Sequence, residues 1–329
     1  MATRFEIVLH GENPGALRAA GEEALDEIDR LESQLSLYRP SSEIAHLNAR
    51  AAEGPARVTP SLFALLQRAQ ELSAQTDGAF DITIAPLVRC WGFMGGTGHL
   101  PGPEELAEAR SKVGMHLVHL DPENFTVQFA REGVMLDLGA IGKGYAIERA
   151  AELLRQAGVT SALLHAGTST VYALGHPPEA ERWRIAVQNP AAKLVGATPV
   201  ILPLPKREGR DEGKEAADHA ASTAPIATIS LREEALSVSG IWGRCFQADG
   251  KSYGHVLDPR AGQPVANAVL AAVVLPSATE TDALSTALLV RGPDAHRDIR
   301  ALRPAMRTLL VSQFDGQLVL TSTGMDVDA

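Results

Sequence analysis

The chain of 329 residues exceeds the usual size of one domain, is 45% apolar and 21% charged, and holds enough material to bury a sizeable core. A disulfide-stapled miniprotein, a fibrous repeat and wholesale disorder are excluded. Forty acidic against thirty basic residues give a formal charge of -10, which repels nucleic-acid backbones and anionic membrane surfaces, and no local basic patch reverses it.

No nucleic-acid partner is expected, and no membrane span, since no stretch reaches the about 18 uninterrupted apolar residues that crossing requires. Cys90 and Cys245 stand far apart without the local pairs that announce zinc. Met1 to Leu9 lack the basic and apolar regions of an export signal. As written, the chain is expected in the cytoplasm; an exported or membrane-anchored form is expected only if this start omits a leader.

Taken in chain order, Phe5, Ile7 and Leu9 alternate as an opening strand, and Gly11 to Gly15 break it. Leu17, Ala24, Leu25, Ile28, Leu31 and Leu35 recur at helical spacing. The polar run Tyr38 to Glu43 ends that helix and caps a short one holding Ile44 and Leu47, and a third helix covers Ser61 to Thr76. Ala79 to Phe93 mixes aromatics and Pro86 without clean periodicity and reads as an irregular buried strand or a site-lining loop. Leu117 to Leu136 reads as a small meander whose last strand is Val134 to Leu136; a glycine-rich turn, a helix from Lys143 to Ala157 and a strand at Ala162 to His165 follow.

Trp183 to Gln188 is a further strand. Residues 203–224 form a charged insert, expected to be a surface loop. Strands are expected at Ile226 to Leu231, Leu236 to Ser239, Tyr253 to Leu257 and Val269 to Leu275, then a helix from Thr279 to Val290 and a closing hairpin, Thr308 to Val311 with Gln317 to Thr321.

Three segments carry candidate chemistry. Asp137-Leu138-Gly139-Ala140-Ile141-Gly142-Lys143-Gly144 lies between a strand and a helix, where bare glycines and a helix N-terminus suit a phosphate. It is neither a dinucleotide fingerprint nor a Walker loop, and a plain tight turn is the alternative. In the Thr279 helix, Asp282 and Thr286 share one face with Ser285 beside them, oxygen donors suited to a hard cation; the alternative is a capping box of Thr279 with Asp282. The third is Tyr253-Gly254-His255-Val256-Leu257-Asp258-Pro259-Arg260, where His255 sits inside a strand next to a charged turn, an acid-base candidate against the blander reading of a packed histidine.

Together these segments resemble the ApbE-type flavin transferases along nearly the whole chain. Further matches are Met1-Ala2-Thr3, Leu37-Tyr38-Arg39-Pro40, Gly78-Ala79-Phe80-Asp81 with Trp91-Gly92-Phe93, Trp183 to Pro190, and His255 to Gly262. The resemblance implies one α+β domain over 1–329, ApbE-like and T-fold-related, with mixed or antiparallel sheets in two interleaved lobes and a flavin cleft between them.

It also implies an enzyme that uses Mg2+ and FAD as substrate, attaches FMN to a Thr or Ser hydroxyl of an acceptor flavoprotein carrying a flavinylation motif, and releases AMP. Met1, Tyr38, Ala79, Phe80, Asp81, Asp137, Lys143 and Leu257 correspond to FAD-contacting positions. Ala140 would give the metal a backbone carbonyl, with Asp282 and Thr286 as side-chain ligands, Ser285 as a neighbour and His255 as the acid-base residue. Tyr38 and Phe80 are candidates to stack on flavin or adenine, with ordinary core packing as the alternative. The pattern departs from the family at His165-Ala166-Gly167-Thr168-Ser169, where one glycine and a following acid or amide are replaced. An FAD pyrophosphatase and a non-catalytic flavin binder are the competing expectations.

Overall fold

The computed structural model describes residues 3–190, 225–314 and 317–325. Met1 and the 203–224 insert lie outside them. β1 (Phe5–Leu9) leads to α1 (Pro14–Leu35), which starts where the Asn13 side chain accepts the Ala16 N–H at 3.1 Å and buries Ala24, Ile28, Leu31 and Leu35 at helical spacing. Ser42 caps α2 (Glu43–Arg50) in the same way, and Thr59 caps α3 (Pro60–Gln75), which follows the short β2 (Ala56–Arg57).

The segment from Ala79 to Phe93 is not a strand. Pro86 tolerates a helix's first turn, where its missing N–H has no partner to lose, and α4 (Ala85–Cys90) forms with Leu87, Cys90 and Trp91 on one buried face. α5 (Pro103–Arg110) follows, an element the sequence reading passes over. β3 (Val118–Asp121) and β4 (Thr126–Phe129) pair as expected and take β2 as their third strand. Val134 to Leu136 adds no strand: the Asn48 amide accepts from Leu136 N at 2.8 Å and donates to Leu136 O at 3.0 Å, so one side chain occupies both groups a ladder would use.

α6 (Gly142–Gln156) precedes β5 (Ala162–Ala166), β6 (Thr170–Leu174) and β7 (Trp183–Gln188). Beyond the undescribed stretch come β8 (Pro225–Leu231), β9 (Glu234–Gly240), the hairpin β10 (Cys245–Ala248) and β11 (Lys251–Gly254), then β12 (Leu257–Asp258), β13 (Gln263–Pro264) and β14 (Ala268–Leu275). The strand expected over Tyr253 to Leu257 is therefore two short ones, and His255 lies in the bend between them. α7 (Ala278–Arg291), α8 (His296–Ala301), β15 (Arg307–Phe314) and β16 (Gln317–Thr323) complete the fold.

The architecture is α+β, with every described strand pairing antiparallel. The main sheet has the order β1-β5-β6-β9-β14-β15-β16. Its central strands β5, β6 and β14 are buried along their whole length because both faces are covered. Helices α1, α3, α6 and α7 pack on one face, and the β7–β8 ribbon packs on the other through Trp183, Ile185 and Ile229. A third apolar cluster, Leu87, Trp91, Phe93 and Leu257, ties α4 to the β12 turn. No helix among the described residues is long and apolar enough to cross a membrane.

Candidate active site

A cavity of about 610 Å³ opens where these clusters meet. Of the residues predicted from the sequence, Tyr38, Phe80, Asp81, Asp137, Ala140, Lys143, His255, Leu257, Asp282 and Thr286 line it. Ala79 and Ser285 do not: both are buried, Ala79 in the main core and Ser285 under the cavity floor.

Asp282 forms the floor. The cap of α7 is Ser277, whose hydroxyl accepts from Glu280 N at 3.2 Å, while Glu148 of α6 accepts from Thr279 N at 2.7 Å. The Thr279–Asp282 capping box is thus overturned, and the Asp282 carboxylate turns inward, only 3% exposed. Its Oδ2 accepts from Gly144 N at 3.0 Å, and the Lys143 ammonium lies 3.2 Å from Oδ1. Thr170 and Ser237 hydroxyls approach Oδ1 at 3.4 Å. Gly144 permits this closeness: a Cβ there would stand 2.1 Å from Ala278 O and 2.8 Å from the Asp282 Cβ.

Ser285 and Thr286 both donate to the Asp282 carbonyl, and both reach Ser239, at 2.8 and 3.2 Å. A chain of hydroxyls therefore runs from Thr170 through Ser237, Ser285 and Ser239 to Thr286 at the cavity surface.

The glycine turn spends three of its amides on protein oxygens, as a tight turn does. Gly139 N donates to Asp137 Oδ1 at 2.8 Å, Gly142 N to Leu138 O at 2.7 Å, and Gly144 N to Asp282. These three amides are committed to protein oxygens, so the turn positions two carboxylates and Lys143 at the cavity. Burial raises the Asp137 carboxyl above its usual value, opposed by the Gly139 N–H and the Lys143 charge.

His255 stands on the opposite wall, at the base of the β10–β11 hairpin, where its N–H donates to Arg244 O at 3.0 Å. Its ring Nδ1 is buried without a hydrogen-bond partner among the described residues. Burial depresses the imidazole below its ordinary value; the Arg244 backbone works against this and the Arg244 and Lys143 charges reinforce it, so the neutral ring is favoured. The hairpin is held by Phe246 and Tyr253, whose rings stack at 5.2 Å, with Tyr253 5.6 Å from Trp91.

Tyr38 is 63% exposed at the rim and offers a free ring face, whereas Phe80, 1% exposed, belongs to the core. Burial also raises the Asp81 carboxyl, but its oxygens are occupied by Thr83 N, Thr83 Oγ1, Met115 N and Ser73 Oγ. Asp81 thus braces the wall. The altered segment is now placed: His165 and Ala166 end β5, Gly167 turns at a φ of 60°, and Thr168 and Ser169 line the cavity.

Sequence reasoning missed Trp242, Arg244 and Ser239. Arg244 donates to Phe93 O at 3.0 Å while facing the cavity. Its only local signal is a position 11 residues before His255, which becomes adjacency once the hairpin folds back.

Among the described residues no cluster of three or more His, Cys, Asp or Glu could hold a metal. The donor set here is one carboxylate with hydroxyl and carbonyl oxygens, which suits a hard divalent ion that keeps waters and takes the rest of its shell from substrate. The carboxylate already attracts a cation, the Lys143 ammonium. By both criteria the residues fit Mg2+.

The model of the ApbE family matches residues 1–310. The FAD:protein FMN transferase of Treponema pallidum (strain Nichols) is 28% identical over 340 residues, covering 99% of this chain and 85% of that protein. A protein of the same name from Klebsiella pneumoniae (strain 342) is 29% identical, covering 86% of this chain and 73% of its own length. Among solved structures, the ApbE protein of Thermotoga maritima superposes with a TM-score of 0.80 at 27% identity, over 98% of this chain and 94% of that one. The apo flavinyl transferase ApbE of Pseudomonas stutzeri gives 0.77 at 28% identity, over 97% and 91%.

Proposed function

The chain belongs to the ApbE family, and on that premise we propose that it transfers FMN from FAD to a Thr or Ser hydroxyl of an acceptor protein, with Mg2+ bound, and releases AMP. The observation that carries this reading is the convergence of Asp282, Lys143 and His255, from three distant segments, on one cavity.

The acceptor oxygen attacks the phosphorus of the FMN half, the pyrophosphate P–O bond breaks, and AMP leaves with the bridging oxygen. His255, neutral through burial, takes the hydroxyl proton on a ring nitrogen. Lys143 and Arg244 would face the phosphates and offset their charge, while Asp282, which already draws on Lys143, leaves that neutralisation incomplete without a further cation. Asp282 and Thr286 side chains and the Ala140 carbonyl would hold Mg2+, which when bound supplies Lewis-acid neutralisation of the phosphate oxygens. Tyr38 presents an exposed ring for an aromatic part of FAD.

The test incubates the protein with FAD, Mg2+ and a candidate acceptor flavoprotein and reads intact mass. A covalent FMN adduct on the acceptor, lost with Asp282→Asn, is expected. Free FMN and AMP with no adduct on any acceptor would select hydrolysis instead. Tight FAD binding without AMP release, indifferent to Asp282→Asn, would select a binder.

A further inference from the structure

We propose that Lys143 is the built-in counter-cation of Asp282 and competes with the divalent ion for that carboxylate, so that the metal and the diphosphate bind as a coupled pair. The inference rests on the reading above and adds to it an interaction between the two sites. The Lys143 ammonium lies 3.2 and 3.4 Å from the two Asp282 oxygens and donates to Gly139 O at 2.9 Å. A metal held by Asp282 and by the carbonyl of Ala140, which lines the same cavity, would draw on the carboxylate that this ammonium already occupies.

Asp282 cannot swing aside to serve both. Its Oδ2 is fixed by the Gly144 amide, its Oδ1 is flanked by Thr170 and Ser237, and its side chain is 4% exposed against 20% for Lys143. The lysine is the partner free to move, and it sits in the cavity where a phosphate oxygen would meet it. A divalent ion arriving alone must displace an ammonium whose other anionic neighbour in the cavity is Asp137, a carboxyl that burial pushes up and so makes a weaker partner. A diphosphate arriving alone draws the ammonium away and leaves a buried carboxylate uncompensated. Arriving together, each relieves the cost the other meets, and the coupling is reciprocal.

The experiment titrates Mn2+ into the full chain, with and without FAD, and follows free Mn2+ by electron paramagnetic resonance. For the unaltered protein FAD is expected to tighten Mn2+ binding by about tenfold or more, within the usual range of coupling. Lys143→Met should bind Mn2+ alone about tenfold more tightly than the unaltered protein and lose most of the FAD dependence. Lys143→Gln, which keeps a donor for Gly139 O, guards against misfolding and should behave alike, with a larger Mg2+-induced rise in melting temperature than the parent. Unchanged Mn2+ affinity in both variants, or undiminished coupling to FAD, would overturn the proposal while leaving the metal reading intact. Mn2+ binding that survives Asp282→Asn would instead overturn the metal reading, and with it the competition.

Discussion

Asp282 and His255 line the same cavity, yet their surroundings treat polar atoms in opposite ways. Around Asp282 every neighbour is committed: a backbone amide, an ammonium and two hydroxyls converge on a carboxylate that α6 and α7 press together. Around His255 a hairpin held by aromatic packing leaves Nδ1 buried and, among the described residues, unpartnered. On the proposed reading the floor is an ion site, which must hold its geometry before anything binds, so its donors are fixed by the protein itself. On the same proposal His255 would be a base whose partner, another protein's hydroxyl, is delivered later, and a desolvated nitrogen left open is the cost of waiting.

Substitutions at the two residues should therefore fail differently. Asp282→Asn removes charge from a buried pair and leaves Lys143 opposite a neutral amide; kcat/KM for FMN transfer should fall by roughly 10³-fold and stability by about 3 kcal/mol. His255→Gln should lower transfer by about 10²-fold while the melting temperature holds or rises, since the hairpin does not depend on a hydrogen bond from Nδ1. Transfer assays beside thermal melts check both. Equal melting temperatures for the two variants would erase the distinction between floor and wall.

The next contrast is between glycines. Gly144→Ala places a methyl against the Ala278 carbonyl, a backbone atom that cannot step aside, and should cost about 1–3 kcal/mol together with metal affinity. Gly250→Ala, at the tip of the β10–β11 hairpin, meets nothing within 4 Å and carries only the strain of its φ of 73°, about 1 kcal/mol, with transfer unchanged. Denaturant melts of both variants, with Mn2+ titrations, measure the difference.

These residues also show what was legible beforehand. The periodicity of α1, α3 and α6 and the strands β1, β5 and β14 could be read because their burial follows local spacing. Asp282 could be singled out by its spacing to Thr286, but not told from a cap, because the true cap, Ser277, lies just upstream and is reinforced by Glu148 from another helix. Val134 to Leu136 misled because Asn48, 88 residues earlier, takes the place of a strand partner. Arg244 and Trp242 were invisible because only the hairpin's return brings them to His255. The carboxylate floor is written in local motifs; the wall is assembled by contacts no window of sequence contains.

The smallest expected effect separates floor from wall by proton binding. Burial lowers His255 below the ordinary histidine value of 6.5, and burial does the same to His165 in β5. The unfolded chain therefore takes up protons at these positions as pH drops below about 6.5, while the folded chain does not, until the lower folded values are reached. Stability should fall across that window, and it should be fully present above it. His255→Gln removes one of the titrating groups, so the loss of melting temperature between about pH 7.5 and about pH 5.5 should be smaller in that variant than in the parent. The same depression carries the acid limb of FMN transfer below 6.5, because the imidazole stays neutral, and able to accept a proton, to lower pH than a free histidine. An acid limb at or above 6.5, or a pH dependence of melting indifferent to His255→Gln, would mean that the hairpin wall does not hold the imidazole below its ordinary value.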